Sequence, residues 1–429
     1  MDTTRRTLLR GLAAAPLAAA AGGLLVPETA LAAAGRQKVE RVTGPEGGPT
    51  YAEVIRQLNE RAAGELGRRQ GLWRVPLATL LDSPPERTGR RITRVSYPTA
   101  ALRPPARRIP RLAHGFQWHP DDFLTPNWRP QGITTNYDAV GGRPARRVLI
   151  VSWDAHKAAR PEGTRLSVVE IASSGEAGYR HVLLAEPVLD GEKGPNPSFR
   201  PIHTHAGAVA WYRNLLYVAE SAQGRRGLRV FDVDNIFGVR TDAASQGRFG
   251  FEDGRYSADG YAYVIPQVAA YQDVDQDVGQ EDGDAFTYSQ VALDRSGSTH
   301  RLVVSEYRGG GSRPRPRIAR FDLDPSTGLP ARHTSSVPLV YTGPKTVQGA
   351  VSVNGTYYVT TSHSAKGNGQ LHRWRARPRT WEFPPGIEDV SYDARDDVLW
   401  TLCEYAKGDQ EAGEDLSVYN TRYVYGMKL

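Results

Sequence analysis

A single cysteine, Cys403, occurs among 429 residues, so an intramolecular disulfide is excluded. It lies in the apolar run Leu399–Cys403 and is expected to pack as a small buried hydrophobe rather than to act as a nucleophile. Beyond the N-terminus no stretch approaches the ~20 apolar residues that a membrane span requires, which excludes a span in the mature chain. A Gly-x-Ser-x-Gly nucleophile elbow, a P-loop and a dinucleotide fingerprint are all missing. The glycine run 309–311 follows a strand but opens no helix, and reads as a loop. Helical periodicity is scarce too. Ala52, Val54, Ile55, Leu58, Ala62, Ala63 and Leu66 carry it between Thr50, a suitable N-cap, and Arg69.

What is present begins with an address. Thr4-Arg5-Arg6-Thr7-Leu8-Leu9-Arg10 precedes an Ala-rich apolar run from Leu12 to Val26, and Ala30-Leu31-Ala32 offers small residues for cleavage. Residues 1–32 resemble a twin-arginine signal peptide, with a general secretory signal or a membrane anchor as the alternatives. The expected localisation is extracellular. The formal net charge of +7 is spread through Pro-rich connectors such as Arg103–Arg108 and Arg313–Arg317, which reads as solvated basic loops. Nucleic acid is therefore not an expected partner.

The strongest pattern is internal. A polar residue, a small residue, an alternating apolar strand, a turn and a second β-rich strand recur five times. The copies open at Gln131, His205, Ser289, Gln348 and Glu388, and their second strands end near Trp153, Glu220, Glu306, Ser362 and Glu404. Repeats of a few strands at roughly 40–80 residues, none able to bury its faces alone, predict an all-β five-bladed β-propeller. Third strands are expected at Arg165–Ile171, Leu228–Val233, Arg317–Leu323, Leu371–Arg375 and Thr421–Met427. Four blades supply their own fourth strand, but the fifth reaches Leu429 first. Because a ring must close or leave an exposed edge, Arg91–Tyr97 is expected to supply that strand. The division predicted is 1–32 signal, 33–112 an N-terminal extension with a helix at 50–69, and 113–429 the propeller. An open sandwich, or a sixth blade from residues 36–112, are the alternatives.

Propeller geometry brings starts of first strands and ends of second strands to one mouth of the central channel. That convergence makes Gln131, Gln348, Glu220, Glu404, Tyr307, His363 and Trp153 candidate ligand-binding residues. Glu388 and Glu306 are candidate acids or bases, and His205 would position or polarise a substrate. Clustered glutamates repel unless they are protonated, separated or bound to a cation, and plain channel hydration is the bland alternative. His203 and His205 are two imidazoles at strand period, suited to a transition metal with Glu388 or Glu220 nearby. Asp273, Asp275 and Asp277 alternate as in Ca²⁺ loops, although Val278 stands where an EF-hand needs glycine; a solvated acidic loop is the other reading. Ca²⁺ or another divalent metal is thus a candidate cofactor. Trp118, His119, Asp122 and Trp128 enter just before the first repeat and suit sugar stacking, or else pack against the fold.

The phrases Pro130–Thr134, Tyr179–Leu184, His205–Tyr212, Gly227–Asp232 and Glu388–Tyr392 resemble those of uncharacterised twin-arginine-exported secreted proteins of actinobacteria, over most of residues 114–429. That resemblance implies no activity. The five-repeat layout is also similar to olfactomedin-type propellers, which implies metal ions on the central axis; here Gln131, His205 and Gln348 stand in the places of their Asp and Asn ligands. Five-bladed arabinan-degrading hydrolases share the architecture without a residue match to their catalytic acids. The functions expected are binding of a small molecule or extracellular glycan at the mouth ringed by Gln131, His205, Gln348 and Glu388, or a hydrolase of carbohydrates or lactones using rim carboxylates. A protein-interaction platform is the third. The sequence is compatible with an enzyme and with a binding protein alike.

Overall fold

The computed structural model describes residues 36–92, 109, 111–155, 162–190, 196–222, 224–275, 285–309, 314–363, 367–375, 377–406 and 421–429. These form a five-bladed β-propeller. Its first blade comprises Trp128–Thr135, Arg147–Ala155, Arg165–Ile171 and Ala177–Asp190, each antiparallel to the next. Val209–Tyr212, Leu215–Glu220, Gly227–Asp232 and Tyr263–Asp273 make the second. Gln290–Asp294, Arg301–Ser305, Arg317–Asp322 and the short Leu339–Val340 make the third. The fourth contains Val347–Val353, Thr356–Thr361, Gly369–Trp374 and Arg379–Phe383. Ile387–Asp393, Val398–Cys403 and Tyr423–Lys428 supply three strands of the fifth.

The ring closes through an N-terminal strand, but a later one than the sequence suggests. Leu112–Gln117 lies antiparallel to Tyr423–Lys428, pairing Gln117 with Tyr423 and Phe116 with Val424. Arg87–Arg91 joins one position further out, with Arg90 opposite Gln117 and Arg91 opposite Phe116. Residues 93–97 lie outside the described ones. At Gly115 a Cβ would stand 2.8 Å from the Val424 carbonyl oxygen, so the closing strand needs a residue without a side chain there. Phe116 is fully buried among Trp118, Trp153, Trp400 and Val424, where the first and last blades meet.

The extension before the ring packs on its outer strands. Gln37–Val42 pairs with the outer strand of blade two on one side and with His333–Ser336 on the other. The helix Tyr51–Ala63 is capped by Thr50, whose hydroxyl accepts from the Glu53 N–H while the Glu53 carboxylate accepts from the Thr50 N–H. Its buried Val54, Leu58 and Ala62 rest on Leu183, Phe199, Phe237 and Val264, at the periphery of blades one and two. Cys403 is buried, and burial raises its thiol well above the ordinary value, the state of an inert core residue. Among the described residues no helix is long and apolar enough to cross a membrane.

Near the axis three inner strands begin with a β-bulge. Gln131 and Gly132 together oppose Ser152, Gln348 is the extra residue before Gly349, and Glu388 with Asp389 opposes Leu402. A bulge sets an additional residue against one partner and re-aims its side chain. Here it turns Gln131, Gln348 and Glu388 inward. The glycines beside them meet the next blade's backbone: a Cβ on Gly132 would lie 2.5 Å from Ala208 Cα, and one on Gly349 2.7 Å from the Val390 nitrogen. Replacing Gly132 by Ala is expected to force these strands apart at a cost of about 1–3 kcal/mol. Thermal or urea unfolding checks this, and an unchanged midpoint would show that the axis tolerates a methyl group.

Candidate functional site at the channel mouth

The bulged residues form a chain of contacts around the mouth. Gln131 donates its Nε2 to the Glu404 carboxylate at 2.9 Å. Gln348 donates to Glu388 at 3.4 Å. Glu388 and Glu404 lie within hydrogen-bonding reach of one another, which two ionised carboxylates would not tolerate. Burial, then the Glu404 charge, holds the Glu388 carboxyl well above its ordinary range, so this acid carries the proton the pair shares. Arg129 opposes that shift from nearby, and its guanidinium sits 5.8 Å over the Tyr405 ring.

Further along the axis the carboxyl groups continue. Asp389 accepts from the N–H groups of Ile133 at 3.0 Å and Val390 at 2.8 Å, and from that of Val209. Asp138 takes the hydroxyls of Ser391 at 2.7 Å and Thr134 at 3.1 Å; burial pushes it up to about 7. Asp389 has no exposure, and burial pushes it up as well, while its three N–H donors pull back.

Beside the carboxyl pair a cavity of about 430 Å³ opens between blades one and two, lined by Asp154, Thr164, His203, Thr204, His205 and Glu220 among others. The Nδ1 of His205 stands 3.3 Å from the Asp154 carboxylate, and the side chain is half exposed. Burial works against its charged form, but the hydrogen bond and charge of Asp154, then the charge of Glu404, raise it above the ordinary imidazole value. The cavity and the proton-sharing pair are therefore electrostatically linked through Glu404.

Other candidates named from the sequence sit differently. Trp153 is fully buried, its indole N–H donating to Ser167, and it packs edge-on against Trp118. Side chains alternate along Arg147–Ala155, so its neighbour Asp154 is the one that lines the mouth cavity. Trp118 is also buried, and Trp128, nearly so, carries the Arg165 guanidinium 4.1 Å over its ring at the edge of a second cavity. Glu306 lies in a finished ion pair: Arg308 and Arg317 and the N–H groups of Thr287 and Arg317 all donate to it. Glu220 is likewise held by Arg229, at 3.2 Å, and by the Ala222 N–H. Tyr307 and His363 are exposed at the ends of their strands.

Asp122, buried, accepts from Tyr179, Arg165 and Arg87 at 2.7 Å each and pairs with His181. It lines a separate cavity of about 630 Å³ with Arg87, Arg165 and His181. Asp273 is buried and caps the Asp275 N–H, Asp275 is exposed, and Asp277 lies outside the described residues. Among the described residues no three His, Cys, Asp or Glu side chains converge to hold a metal ion. His203 and His205 line one cavity with Glu220, but do not form such a group with it.

No sequence-family profile matches this chain, and no curated protein matches it. Solved structures similar in fold include the GH43_1 enzyme from Xanthomonas citri complexed with xylotriose, at 12% identity and a TM-score of 0.34, with 71% of this chain and 88% of that one covered. The RS223 β-xylosidase covers 71% and 94% at 11% identity and 0.35. Pseudomonas fluorescens PhoX in complex with vanadate covers 84% and 98% at 8% identity and 0.34. Similarity this distant concerns the fold and carries nothing about activity.

A carboxyl raised in the folded state binds its proton more tightly there, so its contribution to stability is full below the unfolded value near 4.5 and declines as pH rises. Glu388→Gln removes this dependence while keeping the shape. Its melting temperature is expected to gain on the native protein's progressively as pH rises above 4.5. Parallel curves would mean that Glu388 carries no such proton.

Proposed function

We propose that the protein is exported and binds a small polar ligand, or the end of an extracellular glycan, at the channel mouth. The observation that carries this reading is the cavity in which the Asp154–His205 pair stands beside the proton-sharing Glu388 and Glu404. Its volume falls within the roughly 300–1,000 Å³ usual for small-molecule sites. Carboxylate, imidazole and hydroxyl groups line it, so recognition rests on hydrogen bonds and charge. Tyr307, about 40% exposed just past the end of its strand in blade three, offers an aromatic face for sugar stacking.

A hydrolase is the second reading, and the Asp154–His205 pair favours it. A carboxylate on Nδ1 fixes the imidazole and supports proton uptake at Nε2, the division of labour of a general base and its orienting acid. A glycosidase pair of carboxyls stands about 5–5.5 Å or 6.5–9.5 Å apart. Glu388 and Glu404 are in hydrogen-bonding contact, closer than either. They suit protonation of a bound group from one side better than a pair straddling a glycosidic bond.

Calorimetric titration of the mature protein with a panel of mono- and oligosaccharides and lactones tests the binding reading. At least one compound is expected to bind, and His205→Ala and Asp154→Asn to weaken it about tenfold or more without lowering the unliganded melting temperature. Equal affinity in both variants would remove the ligand from this cavity. If a panel member is hydrolysed, His205→Ala is expected to lower kcat/KM by about 10²–10⁴. The base must be neutral to act, so the rate should rise with pH through the raised imidazole value, and Asp154→Asn should move that rise to lower pH.

A further inference from the structure

The opposite face of the ring carries a second, independent feature. Where the first and last blades meet, a cavity of about 410 Å³ is lined by Arg91, His114, Arg143, Arg147, Arg395 and Asp396 among others. These come from the edge strand, the closing strand, the turn between the first two strands of blade one, and the turn between the first two strands of blade five. Four guanidinium groups face one lining carboxylate; Asp393, whose charge also acts on His114, is fully buried and bound by Arg395 at 2.7 Å.

The carboxylates are already committed. Asp396 accepts from Arg147 and lies 3.6 Å from Arg395 and 3.9 Å from His114. Among the described residues Arg91 and Arg143 have no carboxylate within ion-pairing distance; each donates to a backbone carbonyl, of Ser174 and Arg395 respectively. Burial, then Arg147, Arg395 and Arg91, pushes the His114 imidazole down to about 4, the response of a group in a positive field. His114 also stacks on Trp400 with ring centroids 5.7 Å apart, which leaves it a neutral hydrogen-bonding group at pH 7.

The geometry points to this cavity as a binding site for a phosphate-class oxyanion, free or as the ester of a small molecule. Guanidinium groups match phosphate oxygens with paired N–H donors, and the four arginines still exceed Asp396 and the buried Asp393 together by two charges, which suits a dianion. The volume exceeds what a bare phosphate fills and leaves room for a sugar-sized substituent. Because the lining belongs to both the first and the last blade, an occupant would also clamp the seam that closes the ring.

The test titrates the full chain with inorganic phosphate and, separately, a hexose 6-phosphate, against chloride at matched ionic strength. Affinity is read by calorimetry and the seam by melting temperature. Either phosphate is expected to bind and raise the melting temperature where chloride does not, and the tighter of the two identifies the source. The exposed pair Arg91→Ala/Arg143→Ala should weaken binding at least about tenfold and leave the unliganded melting temperature unchanged, while His205→Ala at the mouth has no effect. An equal response to chloride, no binding of either phosphate at millimolar concentration, or full affinity in the double variant would overturn the proposal.

Discussion

The whole architecture depends on how closely five inner strands can approach one axis. At Gly132, Gly207 and Gly349 a Cβ would fall 2.5 to 2.7 Å from backbone atoms of the following blade, so the missing side chain sets the radius of the channel. Asp389 uses that closeness, reaching N–H groups in blades five, one and two with a single carboxyl group. The same bulges that admit a glycine turn the preceding polar residue into the channel. Tight packing and an inward polar ring are thus two results of one local irregularity.

Which buried acids find an arginine partner is decided largely by the third strands of the blades. Arg229 and Arg317 in blades two and three reach Glu220 and Glu306 and neutralise them. Arg165 does the same for Asp122 in blade one. In blade five the corresponding Arg422 donates instead to the carbonyls of Glu404, Asp122 and Thr125. Glu404 is left to pair with Gln131 and Glu388, and the cost of burying two acids together is relieved by a shared proton. The chemical asymmetry of a nearly fivefold ring arises there.

Charge is distributed between the two faces in a related way. Acids and imidazoles gather at the mouth, where strand ends are fixed by bulges, whereas guanidinium groups gather in the turns below the seam of the ring. A chain with a formal net charge of +7 reads from composition as uniformly basic, and folding separates that charge into unlike sites.

The sequence by itself determined the number of blades, because each repeat writes out its own alternating strands, and the Thr50 cap, because capping is local chemistry. It also marked Gln131, Gln348 and Glu388 at the starts of inner strands and Glu404 at the end of a second strand, since the repeat itself shows where each strand begins and ends. It brought Trp153 and Asp154 to the same strand end without deciding which faces the mouth, because the alternation that buries Trp153 and leaves Asp154 on the cavity is set by packing against the neighbouring blade. Nor did it show that Glu306 is spent on two arginines, or that Leu112–Gln117 closes the ring. Those outcomes depend on partners far along the chain, and only the tertiary structure brings them into contact.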